Sequence, residues 1–259
     1  MLHFTVLGSG SSGNCSLVEA AGVKLLVDAG FSAKRIAERL AGVGVKPEEI
    51  RGILVTHEHV DHVAGIPVWS RRYGTPIYTN RLTAEVLAKE ADGVQWRTFI
   101  TGSEFEIEGV KVQSFPISHD AVEPVGFVIQ SEGVRLGFLT DLGFATRVVV
   151  ERVKEVHTLL IETNHDEKLL QADTKRPWAV KQRIFSRHGH LSNAAAADVL
   201  AQMVGGNLRR AVLGHLSGDC NSPELAVGLV RSKLQEVGGA EVEVICATQD
   251  EPTVRMQVG

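Results

Sequence analysis

The sequence predicts a mixed α/β fold, and the order of its elements fits a two-sheet core covered by helices on both outer faces. Three observations lead there. Short apolar runs with strand character recur in two β-rich halves, each of which also carries helix-like segments. No linker, repeat or low-complexity tract separates the halves, so residues 1–259 read as one domain. A hydrophobic content of 44% against 22% charged residues lets the chain bury a full core.

The elements follow in order. Residues 2–8 (LHFTVLG) and 15–20 (CSLVEA) read as strands around the Gly/Ser-rich GSGSSGN at 8–14. Residues 23–30 (VKLLVDAG) form a third strand ending in Asp28. Residues 32–41 are helical with Ser32 as N-cap. The short apolar run 51–56 (RGILVT) is a buried strand. Residues 63–74 read as a helix and 75–79 as a strand. Asn80 caps a helix that runs to about Glu90. Strands follow at 110–118, 124–132 and 134–141, the last two joined as a hairpin across Glu132-Gly133. A helix at 145–154, a strand at 157–163 and helices at 177–187 and 193–204 come next, the last capped by Ser192. After a strand at 209–215, Ser222-Pro223-Glu224 starts another helix, with proline at its first position. Strands at 242–249 and 253–258 close the chain.

Composition excludes several classes. The formal net charge is −4, so there is no global basic field, and a polyanion must be met by a local patch. Cys15, Cys220 and Cys246 are odd in number and form no CxxC pair, which argues against a disulfide framework or a thiolate zinc site. The opening residues lack the basic and apolar regions of a secretory leader, and no apolar stretch is long enough to span a bilayer. A reducing, cytoplasmic setting without membrane contact is the expectation.

The decisive stretch is THEHVDH at 56–62. His57, His59, Asp61 and His62 sit at the end of a buried strand, where a helix would begin. His57 and His59 alternate, so in an extended chain they point the same way. Imidazole and carboxylate are ligands for first-row transition metals, and no thiolate accompanies them. Four such groups exceed the needs of one open tetrahedral centre and suggest two metals sharing a loop. The alternative, a charged helix N-terminus, explains the acid but not three histidines. Further ligands are expected at later strand ends, and His119, Asp141 and His215 each follow an apolar run.

H-x-H-x-D-H followed by spaced His, Asp and His resembles the pattern of the metallo-β-lactamase superfamily, which implies a four-layer αββα sandwich with a dinuclear site at one edge. By that resemblance His57, His59 and His119 hold one metal. Asp61, His62 and His215 hold the other, Asp141 bridges, and Asp28 supports the metal loop from behind. GSGSSGN, KQRI…GHLSN, HLS…NSPELA and ATQD are similar to the YycJ/WalJ branch, whose members are metal-dependent nucleases, including 5′-to-3′ exonucleases on DNA. Two positions depart from that branch: His188, and Cys220 where asparagine is expected. The stretch between Asp141 and His215, accounted for by one strand and three helices, is too short for a large inserted cap domain.

The resemblance implies a dinuclear phosphodiesterase acting on nucleic acid, DNA above all, in which two divalent ions bring hydroxide onto phosphorus. Zinc, manganese and iron all suit the ligand set. Two features compete to serve the leaving oxygen. ETNHD at 162–166 brings Glu162, Asn164, His165 and Asp166 to the site edge, unless it only satisfies its own turn. RHGHLSN at 187–193 offers His190, which matches the branch motif, and His188, which does not. Asp61, His165 and His190 are thus the catalytic candidates.

Ser192 and Asn193 cap a helix whose N-terminus would attract phosphate. GSGSSGN has two equal readings, a Gly/Ser turn between strands or a set of backbone N–H groups for phosphate. Lys168, Lys175, Arg176, Lys181, Arg183 and Arg187 make a local basic segment opposed in sequence only by Asp173, unless it is a solvated helix face. Lys181, Arg183, Arg187, His188, Ser192 and Asn193 are therefore the substrate-binding candidates. Trp178 and Phe185 read as core in preference to base-stacking platforms. Two other readings stay open: a small-molecule hydrolase for a thioester, lactone or cyclic phosphodiester, and a metal-dependent binding module.

Overall fold

β1 (Leu2–Gly8), β2 (Cys15–Ala20) and β3 (Val23–Val27) form an antiparallel meander, and the turn between the last two places Ala21 and Gly22 at positive φ. Positive φ at both centres matches the right-handed twist of the flanking strands. The computed structural model describes residues 1–259. The chain continues through α1 (Ala33–Gly42), β4 (Ile50–Leu54), α2 (Val60–Val63), α3 (Ile66–Tyr73), β5 (Ile77–Asn80), α4 (Arg81–Leu87) and β6 (Trp96–Phe99). These crossovers make β3 to β6 parallel.

The second half repeats the plan. β7 (Glu104–Ile107), β8 (Val110–Pro116), β9 (Val125–Ser131) and β10 (Val134–Leu139) form an antiparallel meander, turning at Glu108-Gly109 and Glu132-Gly133, again at positive φ. Then come α5 (Arg147–Val153), β11 (Thr158–Glu162), α6 (Glu167–Ala172), α7 (Trp178–Phe185), α8 (Asn193–Ala201), β12 (Arg210–Gly214), α9 (Pro223–Glu236) and β13 (Glu243–Cys246), with β10 to β13 parallel. The last strand, β14 (Met256–Gln257), returns to pair with β1 in the first sheet, His3 opposite Gln257. Each sheet has seven strands.

Burial explains the layers. Along β3, Val23, Leu25 and Val27 face the other sheet while Leu26 packs with Ile36, Leu40 and Trp69 under α1 and α3. That alternation follows from the two-residue period of a strand buried on both faces. Phe4, Phe127 and Phe138 fill the layer between the sheets, with Phe4 and Phe138 edge to face at 5.5 Å. α5, α8 and α9 cover the second sheet through Val149, Leu200 and Val230. The result is the predicted αββα sandwich.

Several elements depart from expectation. The helix expected over 63–74 begins earlier and is broken at Gly65 into α2 and α3. β6 and β7 were not anticipated, because WRTF and EFEI are short and largely exposed. α6 adds a fourth helix between Asp141 and His215, and no cap domain is present there. The closing strands are shorter than predicted, because Arg39 takes the carbonyls of Gln249 and Asp250 and holds that segment as a loop.

The topology gathers the C-terminal ends of β3, β4, β8, β10, β11 and β12 at one edge. Asp28, Asp141 and His215 lie there at φ values of 60°, 54° and 56°. Left-handed backbone at non-glycine residues is costly and clusters at functional sites.

Candidate metal centre

Strand ends deliver the side chains. β4 leads through Thr56 to His57 and His59, and the first turn of α2 carries Asp61 and His62. β8 leads to His119, β10 to Asp141, β11 ends on Glu162 and β12 leads to His215. One ligand atom from each of His57, His59 and His119 lies within 4.8 Å of the others, and the same holds for Asp61, His62 and His215. Asp141 joins both neighbourhoods: it groups with His57 and His62, and with Glu162, His190 and His215. All seven residues predicted as ligands are thus brought together.

Four of the five predicted ligand rings, all but His59, are aimed by a bond at the other nitrogen. His57 Nδ1 lies 3.0 Å from Thr56 Oγ1, and His62 Nδ1 lies 2.7 Å from Asp28 Oδ2. His119 Nδ1 meets the Gly189 carbonyl at 3.0 Å, and His215 Nδ1 meets Glu162 Oε1 at 2.8 Å. Such anchoring fixes the tautomer and turns the free Nε2 lone pair inward, as metal sites require. Asp28 also accepts the Thr56 backbone N–H at 2.9 Å, so one buried carboxylate steadies two successive parts of the loop.

Two buried atoms test whether the residues suit a cation. His57 Nε2 is buried without a hydrogen-bond partner, and Asp141 Oδ2 has only His62 Nε2 within reach. Orphaned buried polar atoms are rare and call for a partner. With the His62 Nδ1 proton directed to Asp28, His62 Nε2 faces Asp141 Oδ2 at 2.7 Å. Two lone pairs cannot share that distance unless a proton or a metal cation lies between them. The protein alone answers by protonation. Burial disfavours charge on His62, but Asp141 and Asp28 outweigh it and raise its pKa well above the ordinary value. Burial acts on Asp141 in the opposite sense, but His215 and His62 hold its carboxyl well below the carboxylate range. His57 moves down instead, through burial and then the neighbouring His62. A nitrogen and oxygen donor set of this kind fits first-row divalent ions.

Two residues outside the predicted set complete the site. Glu162 is fully buried, and its Oε1 takes both His215 Nδ1 and His190 Nδ1, at 2.8 and 2.7 Å. The two rings stack with centroids 5.4 Å apart and planes 22° from parallel, so one carboxylate sets both. Its only sequence signal was its place at the end of a strand. Asn14, from GSGSSGN, donates its backbone N–H to the Asp61 carbonyl at 2.8 Å and sets its amide 3.1 Å from His62 Nε2. The close packing leaves no room at Gly30, where a Cβ would lie 1.7 Å from the Asp61 carbonyl oxygen.

The remaining predicted residues are mostly buried or bonded within the protein. The GSGSSGN amides of Ser9, Gly10, Ser12, Gly13 and Asn14 bond within the protein, so the loop braces Asp61 and is not a phosphate cradle. His165 is 2% exposed, packs edge-on to Phe185 and lies outside the ligand cluster. Asp166 caps α6, and Asn164 bonds the His215 carbonyl. Ser192 caps α8 and donates to Glu167, while Asn193 is buried in a reciprocal amide pair with Asn221. Lys181 is 7% exposed, with its ammonium on the Gln171 carbonyl.

The basic segment is also more neutral than its sequence implied. Arg183 is paired with Asp120, Lys175 with Asp219, and Arg176 with Asp173 and Asp219. Arg187 makes no ion pair and lies 4.2 Å over the Phe144 ring. His188 is exposed beside a 420 Å³ groove that it lines with Ser118, His119 and Val148.

Residues 24–216 match the family model described as "Beta-lactamase superfamily domain". The chain belongs to that superfamily. It is 37% identical to exodeoxyribonuclease WalJ of Streptococcus pneumoniae over 86% of this chain and 84% of that one. It is 35% identical to exodeoxyribonuclease YycJ of Bacillus anthracis over 92% and 90%. These relatives place it in the WalJ/YycJ-like branch. Among solved structures, the metallo-beta-lactamase fold protein YhfI of Bacillus subtilis superposes with a TM-score of 0.75 over 98% of this chain and 99% of that one, at 16% identity, which shows the shared fold. The superfamily fold implies divalent metal ions, and the clustered donors are where they would bind. No helix is long and apolar enough to cross a membrane.

Proposed function

We propose that this chain is a dinuclear metal-dependent phosphodiesterase that degrades DNA from a strand end. The observation that carries the reading is the double set of convergent donors with Asp141 between them. His57, His59 and His119 would hold one ion, Asp61, His62 and His215 the other, and Asp141 both. Zinc or manganese suits the set best, and iron is compatible with it. When bound, the pair supplies Lewis acidity, lowering the pKa of water and neutralising phosphoryl oxygens. The named activities of the WalJ and YycJ relatives support DNA as substrate and leave the small-molecule alternative without a supporting observation.

His190 serves the leaving oxygen. Glu162 holds its Nδ1, which leaves Nε2 for a phosphate or a departing alkoxide. Burial opposes charge on this ring, yet Glu162 and then Asp141 raise its pKa above the ordinary value. When protonated, Nε2 would donate to the departing oxygen. His188, one residue beyond Gly189, has no such anchor and is left to contact substrate. Arg187 supplies a phosphate contact.

We read the 259 residues as one domain, supported by the return of β14 to β1 across the whole chain. A cytoplasmic setting is supported by three unpaired cysteines. The test uses end-labelled single- and double-stranded DNA and RNA with zinc, manganese or iron in turn, beside metal content by plasma emission spectroscopy. Stepwise shortening of DNA with two ions per chain supports the reading. No cleavage of any nucleic acid with a fully loaded site overturns it.

A further inference from the structure

α7 is an unusual helix. Its side chains are exposed or half-buried except that of Lys181. Trp178 is 59% exposed and Phe185 42% exposed. They lie seven positions apart, which puts them on one face about two turns apart. Large exposed aromatics on one face mark an interaction surface rather than a core.

The helix is also wired to the metal centre. The backbone N–H of His190 donates to the Ile184 carbonyl in its last turn at 3.0 Å. The Gly189 carbonyl holds His119, and a Cβ on Gly189 would lie 2.2 Å from the Ile184 carbonyl oxygen. Arg183 reaches across to Asp120, next to His119. The C-terminal turn of α7 therefore adjoins the metal centre.

We propose that α7 is a stacking platform for unpaired bases of a nucleic-acid strand, with Trp178 and Phe185 as the stacking rings and Arg187 as a backbone contact. This rests on the nucleic-acid reading above and deepens it to the form of substrate: single strands, or duplex ends with unpaired bases. Aromatic faces take bases of any sequence, and a nearby free cation tracks the phosphates. Charge favours this occupant over a second copy of the chain. Lys168 and Arg187 have no ion-pair partners, and a two-fold contact through α7 would oppose like charges that a polyanion neutralises.

The experiment compares wild type, Trp178→Ala and Trp178→Phe as metal-loaded enzymes. Trp178 is chosen because it is exposed, whereas Phe185 also packs on buried His165. Binding of a fluorescein-labelled phosphorothioate oligothymidine is followed by fluorescence anisotropy of the label, and hydrolysis of single-stranded DNA and of bis-p-nitrophenyl phosphate by rate. Trp178→Ala should weaken oligonucleotide binding and raise KM for the strand about ten-fold, with Trp178→Phe restoring most of the loss. Hydrolysis of the small diester, which has no base to stack, should stay within about two-fold because nothing at the metals changes. Unchanged strand binding and KM in Trp178→Ala overturn the platform. So does conversion of a dimer to a monomer by that substitution, read by light scattering, since α7 would then be a subunit contact. If wild type hydrolyses neither DNA nor the small diester, the failure lies with the phosphodiesterase reading instead.

Discussion

Residues 56–62 and residues 168–193 both draw attention in the sequence by local density, the first of metal ligands and the second of positive charge. The fold treats them in opposite ways. It adds His119, Asp141 and His215 to the first cluster and aims the rings with Asp28, Thr56, Glu162 and Gly189. It disperses the second, sending Arg183 to Asp120, Lys175 and Arg176 to Asp219, and Lys181 into the interior. Ligand density is useful only when donors converge. Charge density is readily cancelled by any acid the fold brings near.

The comparison can be broken most directly at the cluster. Asp61→Ala should lower DNA hydrolysis by at least about 10²-fold, since one of the donors that would hold the second ion is removed. The fold should persist by circular dichroism, because Asp61 is partly exposed and only its side chain is lost. Retained turnover would remove Asp61 from the reaction.

Glu162→Gln comes next. Oε1 accepts from both rings and Oε2 from the Leu142 and Leu191 backbone N–H groups, so an amide must turn its NH2 against donors on one side, and metal affinity and turnover should each fall about 10–100-fold. Metal titration by calorimetry checks it, and an unchanged affinity would reduce Glu162 to a packing residue.

His190→Ala against His188→Ala separates two histidines in one tripeptide. The first should cost about 10²-fold in kcat with both metals retained, as loss of a general acid does. The second should change kcat less than two-fold, since only His190 has the Glu162 anchor. Metal lost from His190→Ala would make it a ligand.

The smallest effects lie in the basic segment. Arg187→Ala should reduce the slope of log affinity for DNA against log salt by about one. Lys181→Met should leave that slope alone and instead cost about 1 kcal/mol of folding stability, the worth of its bond to the Gln171 carbonyl. Equal salt effects from both would restore the segment as one undivided phosphate track.

Much of the site was legible. THEHVDH sits where an apolar strand turns into a helix, and His119, Asp141 and His215 each follow an apolar run, so local pattern places donors at strand ends. The order of strands then puts those ends on one edge. Glu162 was visible only as a strand-end acid, because its role depends on His190 and His215, separated from it in the chain by 28 and 53 positions. Asn14 was hidden for the same reason, and a glycine-rich turn suggested phosphate where the structure shows a brace. Trp178 and Phe185 read as core because aromatics usually are, and only solvent exposure revealed them as surface.

By itself the sequence determined a mixed α/β class and the nitrogen and oxygen character of the centre. Both follow from short-range patterns: the two-residue period of strands, the onset of a helix, and the residue types that close them. Only the tertiary structure decided which nitrogen each ring turns inward, which cations stay free, and which aromatics face water. Those outcomes depend on partners distant in the chain, such as Asp120 against Arg183 and Glu162 against His215. A hydrogen bond or ion pair forms wherever folding brings its two ends within reach, and no local spacing encodes that meeting.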